Sequence, residues 1–202
     1  VAVTAELAKE YELRLADIKG IDELLASPNP QSPGAPVPTE RPHAPHEWQV
    51  VDVRDPAQVM AACAGMDAII NLSVLRSNPA DAYRVNAIGA YNVMNAALAH
   101  GIRKVVHTGP FQLGESGALG YSWDTDIVDD VPPRPGINWV YFLSKLCGQE
   151  MVRIYAETYD LIVPTLTFCQ FINPTFNVGK HLVSPLSVSW EDAARAVRCA
   201  LE

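Results

Sequence analysis

The chain of 202 residues has no apolar run near the ~18 residues that span a bilayer, and no basic-then-apolar stretch at its N-terminus. Both absences predict a soluble, cytoplasmic protein with no membrane partner. Positive charge is scarce: 15 Lys and Arg stand against 23 Asp and Glu, a formal net charge of -8, and the basic residues are scattered rather than gathered. That disfavours nucleic acid as a partner, because phosphate binding needs a concentrated basic surface. Cysteine is equally sparse. Cys63, Cys147, Cys169 and Cys199 show no CxxC spacing and stand in apolar contexts, which predicts buried free thiols rather than bridges or zinc ligands. His43 and His46 have HxxH spacing but no third ligand, so no metal is expected.

What is present alternates. Residues 1–10 read as the latter part of a helix, Glu12–Ile18 as a strand and Ile21–Ala26 as a helix start. Seven prolines then fall between Pro28 and Pro45, so residues 27–46 form an exposed loop that holds neither a helix nor a central strand. Beyond it, "WQVVDV" reads as a strand, Pro56–Ala64 as a helix capped by Asp55, "DAIINLS" as a strand, and Asp81–His100 as a long helix ended by Gly101. "RKVVHT" is a strand, Tyr141–Tyr159 a helix, "LIVPTLTF" a strand and Glu191–Leu201 a closing helix. Strands separated by helices imply βαβ units, hence an α/β fold with a doubly wound parallel sheet in one domain over 1–202.

"VYFLSK" places Tyr141 four residues before Lys145, which puts both side chains on one helix face. Together with "YELRLADIKG", "VVDVRDPAQVMAACAGMDAIINLS", "YRVNAIGAYNVMNAALAHGIRKVVHTG" and "SWEDAARAVRCALE", in that order and spacing, the chain resembles the extended short-chain dehydrogenases/reductases, the NAD-dependent epimerase/dehydratase family. The resemblance covers nearly the whole chain outside the proline-rich loop.

It implies NAD as cofactor and a job for each matched position. Asp17, ending the second strand of the family's order, would accept hydrogen bonds from the adenosine ribose and repel a 2′-phosphate. Asp52 and Val53 would contact the adenine. Asn71, Leu72 and Ser73 lie at the crevice edge of the sheet, and Asn86 would support the active site. Tyr141 would exchange a proton with a substrate hydroxyl or carbonyl, and Lys145 would favour phenolate and bind the nicotinamide ribose. The implied substrate is a sugar or nucleotide sugar, and the implied partner a second copy packed through the 81–100 and 141–159 helices.

Two departures follow. The family's Ser or Thr after the fifth strand falls on Gly109, with Thr108 just before it as a candidate substitute. The first strand and glycine-rich phosphate turn are also missing, since "VAVTAELAKE" reads as the helix after that turn. The first strand is central in the order 3-2-1-4-5-6, so the strands beside it are expected to stand apart, and the sequence reads as a fragment with a short C-terminal substrate lobe. Gly114, Gly117 and Gly120 match GxxGxxG but precede no helix, and read instead as a substrate-side loop. A nucleotide-binding sensor or scaffold without turnover, and a subunit whose sheet another chain completes, remain as alternatives.

Overall fold

The computed structural model describes residues 1–26, 35–109, 139–168, 170–172 and 187–202. Every strand pairing in it is parallel. Strands β1 (Arg14–Asp17) and β2 (Glu47–Val50) form one ladder, β3 (Ala68–Asn71), β4 (Lys104–Gly109) and β5 (Thr165–Thr167) a second in the order β3-β4-β5, and β6 (Gln170–Ile172) and β7 (Ser187–Ser189) a third. Among the described residues no ladder joins β1 to β3, which is the break expected from the strand order.

The helices flank the strands on two faces. On one, α3 (Pro56–Cys63), α5 (Gly89–His100) and α6 (Trp139–Tyr159) close over Val105 in a core containing Val59, Met94, Ala97 and Val152. On the other, α1 (Ala2–Leu7) and α7 (Trp190–Leu201) bury Leu7 and Val197 against Val106. Adjacent residues of β4 thus supply both cores, as strand alternation requires. This is the Rossmann-like, doubly wound arrangement. A short helix, α2 (Ile21–Ala26), follows β1. No helix among the described residues is long and apolar enough to cross a membrane.

Local chemistry sets the ends. Asp55 caps α3 by accepting the Ala57 and Gln58 amides, ahead of Pro56 in the first turn. Gly101 ends α5 at φ 70, the left-handed conformation that costs glycine nothing. Residues 35–46 of the proline-rich loop contain neither helix nor strand.

The long helix expected over 81–100 is not uniform. It begins as α4 (Pro79–Tyr83), capped by Asn78, widens into a π-helical segment (Arg84–Ile88) and continues as α5. The strand expected over "LIVPTLTF" is reduced to β5 plus one bridge at Ile162. Cys63 is buried as expected; Cys199 corrects the expectation for the thiols, because α7 exposes it to solvent. Cys169, Gly114, Gly117 and Gly120 lie outside the described residues.

Candidate active site

The site is built at the carboxyl ends of β3 and β4, the edge where ligands of open α/β sheets collect. Asn71 ends β3. Its Oδ1 accepts both the Ser73 amide (3.2 Å) and the Ser73 hydroxyl (2.6 Å), which turns its Nδ2 toward His107 Nδ1 at 3.4 Å. His107 therefore accepts at Nδ1 and carries its proton on Nε2, a buried atom with no partner among the described residues. Burial, and next the nearby Lys145 ammonium, push its pKa down to about 3, so the imidazole is neutral at pH 7.

Thr108 and Gly109 finish β4. Thr108 Oγ1 donates to Asn71 O (3.4 Å) and lies 3.5 Å from Lys145 Nζ. Lys145 is only 4 % exposed. Burial first, and then the positive charge of Arg76, lower its pKa to about 8. Such a perturbation, at a strand end in an α/β sheet, is typical of a working residue.

Tyr141 stands one turn earlier on α6, half-buried, with the Arg76 guanidinium carbon 5.6 Å from its ring centroid. Its backbone oxygen accepts the Ser144 hydroxyl at 2.7 Å, and Ser144 Oγ accepts Asn86 Nδ2 at 2.9 Å. Asn86, in the π-helical segment, also clamps Leu75 from both sides: Leu75 N–H donates to Oδ1 (3.1 Å) and Asn86 Nδ2 donates to Leu75 O (2.9 Å). Asn86 thus ties the loop after β3 to the Tyr141 turn. Helix and π segment meet closely because residue 148 is glycine; a β-carbon there would overlap Asn86 O. π-Helical turns recur at functional sites, where they re-aim one residue.

At Gly109, where a hydroxyl was expected, a β-carbon would overlap Gln149 Oε1 and press on Thr165 Cγ2. Gln149 follows Lys145 by one turn of α6, and its Oε1 is buried with no partner among the described residues. The sequence reading missed this carboxamide, although the spacing 141, 145, 149 carried the signal.

The remaining expected residues lie apart from this cluster of contacts. Asp17 ends β1, exposed, with Oδ1 accepting the Lys19 amide at 3.0 Å. Asp52 binds Arg54 through Nε (2.9 Å) and Nη2 (2.6 Å), and this guanidinium holds its carboxyl below the usual range. Val53 packs on Gly89 and its carbonyl accepts Asn92 Nδ2 at 2.8 Å. Leu72 is exposed beside Asn71. His46 uses Nδ1 to accept the Leu13 amide.

The polar atoms present fit a nicotinamide nucleotide. A buried ammonium has donors beyond the one Thr108 hydroxyl, and buried Nε2 of His107 and Oε1 of Gln149 are a donor and an acceptor without partners among the described residues. A ribose and a carboxamide present the complementary hydroxyls and amide.

Residues 4–186 match the model of the NAD dependent epimerase/dehydratase family, and the chain belongs to that family. Over 111 residues it is 32% identical to a uronate dehydrogenase of Agrobacterium fabrum, covering 54% of this chain and 39% of that protein. Over 129 residues it is 30% identical to an L-arabinose 1-dehydrogenase (NAD(P)(+)) of Haloferax volcanii, covering 58% and 50%. The glucuronic acid dehydrogenase of Chromohalobacter salexigens shares the fold, with a TM-score of 0.74, 23% identity and coverage of 99% of this chain and 66% of that one. The matched segments span half or less of the curated relatives' length.

Proposed function

We propose that this member of an NAD-dependent family oxidises a hydroxyl, or reduces the matching carbonyl, of a sugar or sugar acid, with Tyr141 as the proton-transfer residue. The observation that carries the reading is the Lys145 ammonium: 4 % exposed, set against the Thr108 hydroxyl at the crevice end of β4, one turn from Tyr141. Burying an ammonium with no carboxylate partner among the described residues is unfavourable. It is accounted for if Lys145 holds a ribose hydroxyl beside Tyr141.

The nicotinamide group supplies hydride acceptance or donation when bound. This chain's residues do the rest. Tyr141 takes the proton from the substrate hydroxyl, or returns it to the carbonyl. Lys145 and Thr108 hold the neighbouring hydroxyls in register, and the Asn86–Ser144 bridge fixes the Tyr141 turn. Asp17 binds the adenosine ribose and excludes a 2′-phosphate. The relatives named above act on a uronate and on L-arabinose, so the substrate class under this reading spans sugar acids and neutral aldoses.

A second reading, a nucleotide-binding sensor without turnover, is favoured by Gly109, which brings no hydroxyl to the reacting oxygen. Tyr141→Phe separates the two. It keeps the ring but removes the proton, so NADH binding measured by fluorescence persists while turnover on a sugar panel falls ~10²–10⁴-fold. A parent that binds NADH and turns over nothing establishes the sensor; an unchanged rate in Tyr141→Phe removes the tyrosine from the chemistry.

A further inference from the structure

Of the nine arginines among the described residues, eight pair with a carboxylate: Arg14 with Glu47, Arg41 with Asp22, Arg54 and Arg84 with Asp81, Arg103 with Asp160, Arg153 with Glu157, Arg195 with Asp192 and Arg198 with Glu6. Arg76 is the exception within that set. In a chain of net charge -8 a carboxylate is the easiest partner to find. Arg76 instead lies over the Tyr141 ring, and its charge acts on the Lys145 ammonium.

Its position is fixed rather than incidental. The preceding residue, Leu75, is held at both its N–H and its C=O by the Asn86 carboxamide. Two residues beyond, Asn78 caps α4. The loop between these anchors therefore presents Arg76 at the face of Tyr141, close enough to act on the Lys145 ammonium, with no described carboxylate paired to either cation. Like charges placed together in this way raise the energy of the free protein and lower it when an anion arrives.

We infer that Arg76 is a specificity-determining residue that clamps the carboxylate of a sugar-acid substrate whose reacting hydroxyl lies at Tyr141. This rests on the oxidoreductase reading for the reacting end, but not for the clamp. A guanidinium held over a ring still carries two parallel N–H donors that match a carboxylate in bidentate fashion. A carboxylate is favoured over a phosphate because a single guanidinium matches one unit of charge, whereas a phosphate ester carries closer to two.

The test is equilibrium binding, so that it does not depend on turnover. Isothermal titration of D-glucuronate, D-glucose and glucose 1-phosphate into the chain saturated with NADH compares a carboxylate, a neutral sugar and a phosphate on one ring. The parent is expected to bind glucuronate at least ten times more tightly than glucose. Arg76→Gln brings that ratio close to one, and Arg76→Lys keeps part of it as a point charge without the fork. Because the side chain is exposed, both variants should keep the parent's near-ultraviolet circular dichroism. The inference is overturned if Arg76→Gln retains the preference, if the parent shows none or binds neither sugar, or if glucose 1-phosphate binds more tightly than glucuronate. Absence of turnover on every sugar, with the preference intact, would remove the oxidoreductase reading and leave the clamp standing.

Discussion

Replacing Lys145 with methionine should make the protein more stable and inactive. The fall of its pKa from 10.5 to about 8, caused first by burial and then by Arg76, measures how much the folded state disfavours the ammonium. At about 1.4 kcal/mol for each tenfold change in the proton equilibrium, this is about 3 kcal/mol at pH 7. Methionine keeps an unbranched stem in a site that is 4 % exposed and removes the charge. The lost contact to Thr108, 3.5 Å long, contributes about 1 kcal/mol at most. The expected net gain is about 2 kcal/mol.

The sign of the pH dependence is fixed by linkage. Between pH 8 and 10.5 the unfolded lysine holds a proton that the folded one has released, so the parent gains stability as pH rises through this window. The penalty that the variant lacks therefore shrinks to about 1 kcal/mol by pH 9.5. Urea titrations of parent and Lys145→Met at pH 7 and pH 9.5 measure both numbers, and the difference between the two proteins cancels other groups that titrate in this range. Turnover and NADH affinity should both fall in the variant. A methionine variant less stable than the parent at pH 7, or an advantage that does not shrink with pH, would show that the Lys145 ammonium is not disfavoured by its site.

His107, with a folded pKa of about 3 against 6.5, contributes stability that is fully present above pH 6.5 and lost as pH falls. The parent should lose about 2 kcal/mol between pH 7 and pH 5 from this group, and His107→Phe should lose that much less; equal losses would place the pH sensitivity elsewhere. At position 109, serine should be less destabilising than alanine by about 1 kcal/mol, because its hydroxyl can donate to Gln149 Oε1 while alanine only displaces it. Equal urea midpoints for the two variants would mean that Gln149 does not face residue 109.

Elements whose signals are local were legible in the chain itself. The proline at the first turn of α3 with Asp55 before it, the glycine after His100 and the apolar runs of β3 and β4 each name an end or a face without reference to a distant residue. The ordered motifs named Tyr141, Lys145, Asn86 and Thr108 together; the structure sets Lys145 against Thr108 and ties Asn86 through Ser144 to the Tyr141 backbone. Strands β6 and β7 were not legible. Three residues carry no period, and each exists because the other supplies its hydrogen bonds. The π-helical segment was hidden for a similar reason: its sequence is compatible with an ordinary helix, and what distinguishes it is Asn86 facing Leu75 and Ser144, 11 and 58 residues away. Arg76 belongs to no motif, and what sets it apart is that no carboxylate among the described residues pairs with it.

Those distant relations share a physical character. Lys145 is a buried ammonium, His107 and Gln149 each bury a polar atom without a partner among the described residues, and Arg76 adds a second cation to the first. A sequence selected for stability alone would replace any of them with an apolar or paired side chain, since buried polar groups are ordinarily satisfied. Elsewhere in the described core the chain does just that, with Val105, Val106, Met94 and Ala97 packed without polar atoms. Apart from the Trp190 indole N–H at the start of α7, the buried polar atoms without a partner among the described residues lie on β4 and α6. Under the proposed function, the remedy is a pair of ligands whose ribose hydroxyls meet Lys145 and whose carboxylate meets Arg76.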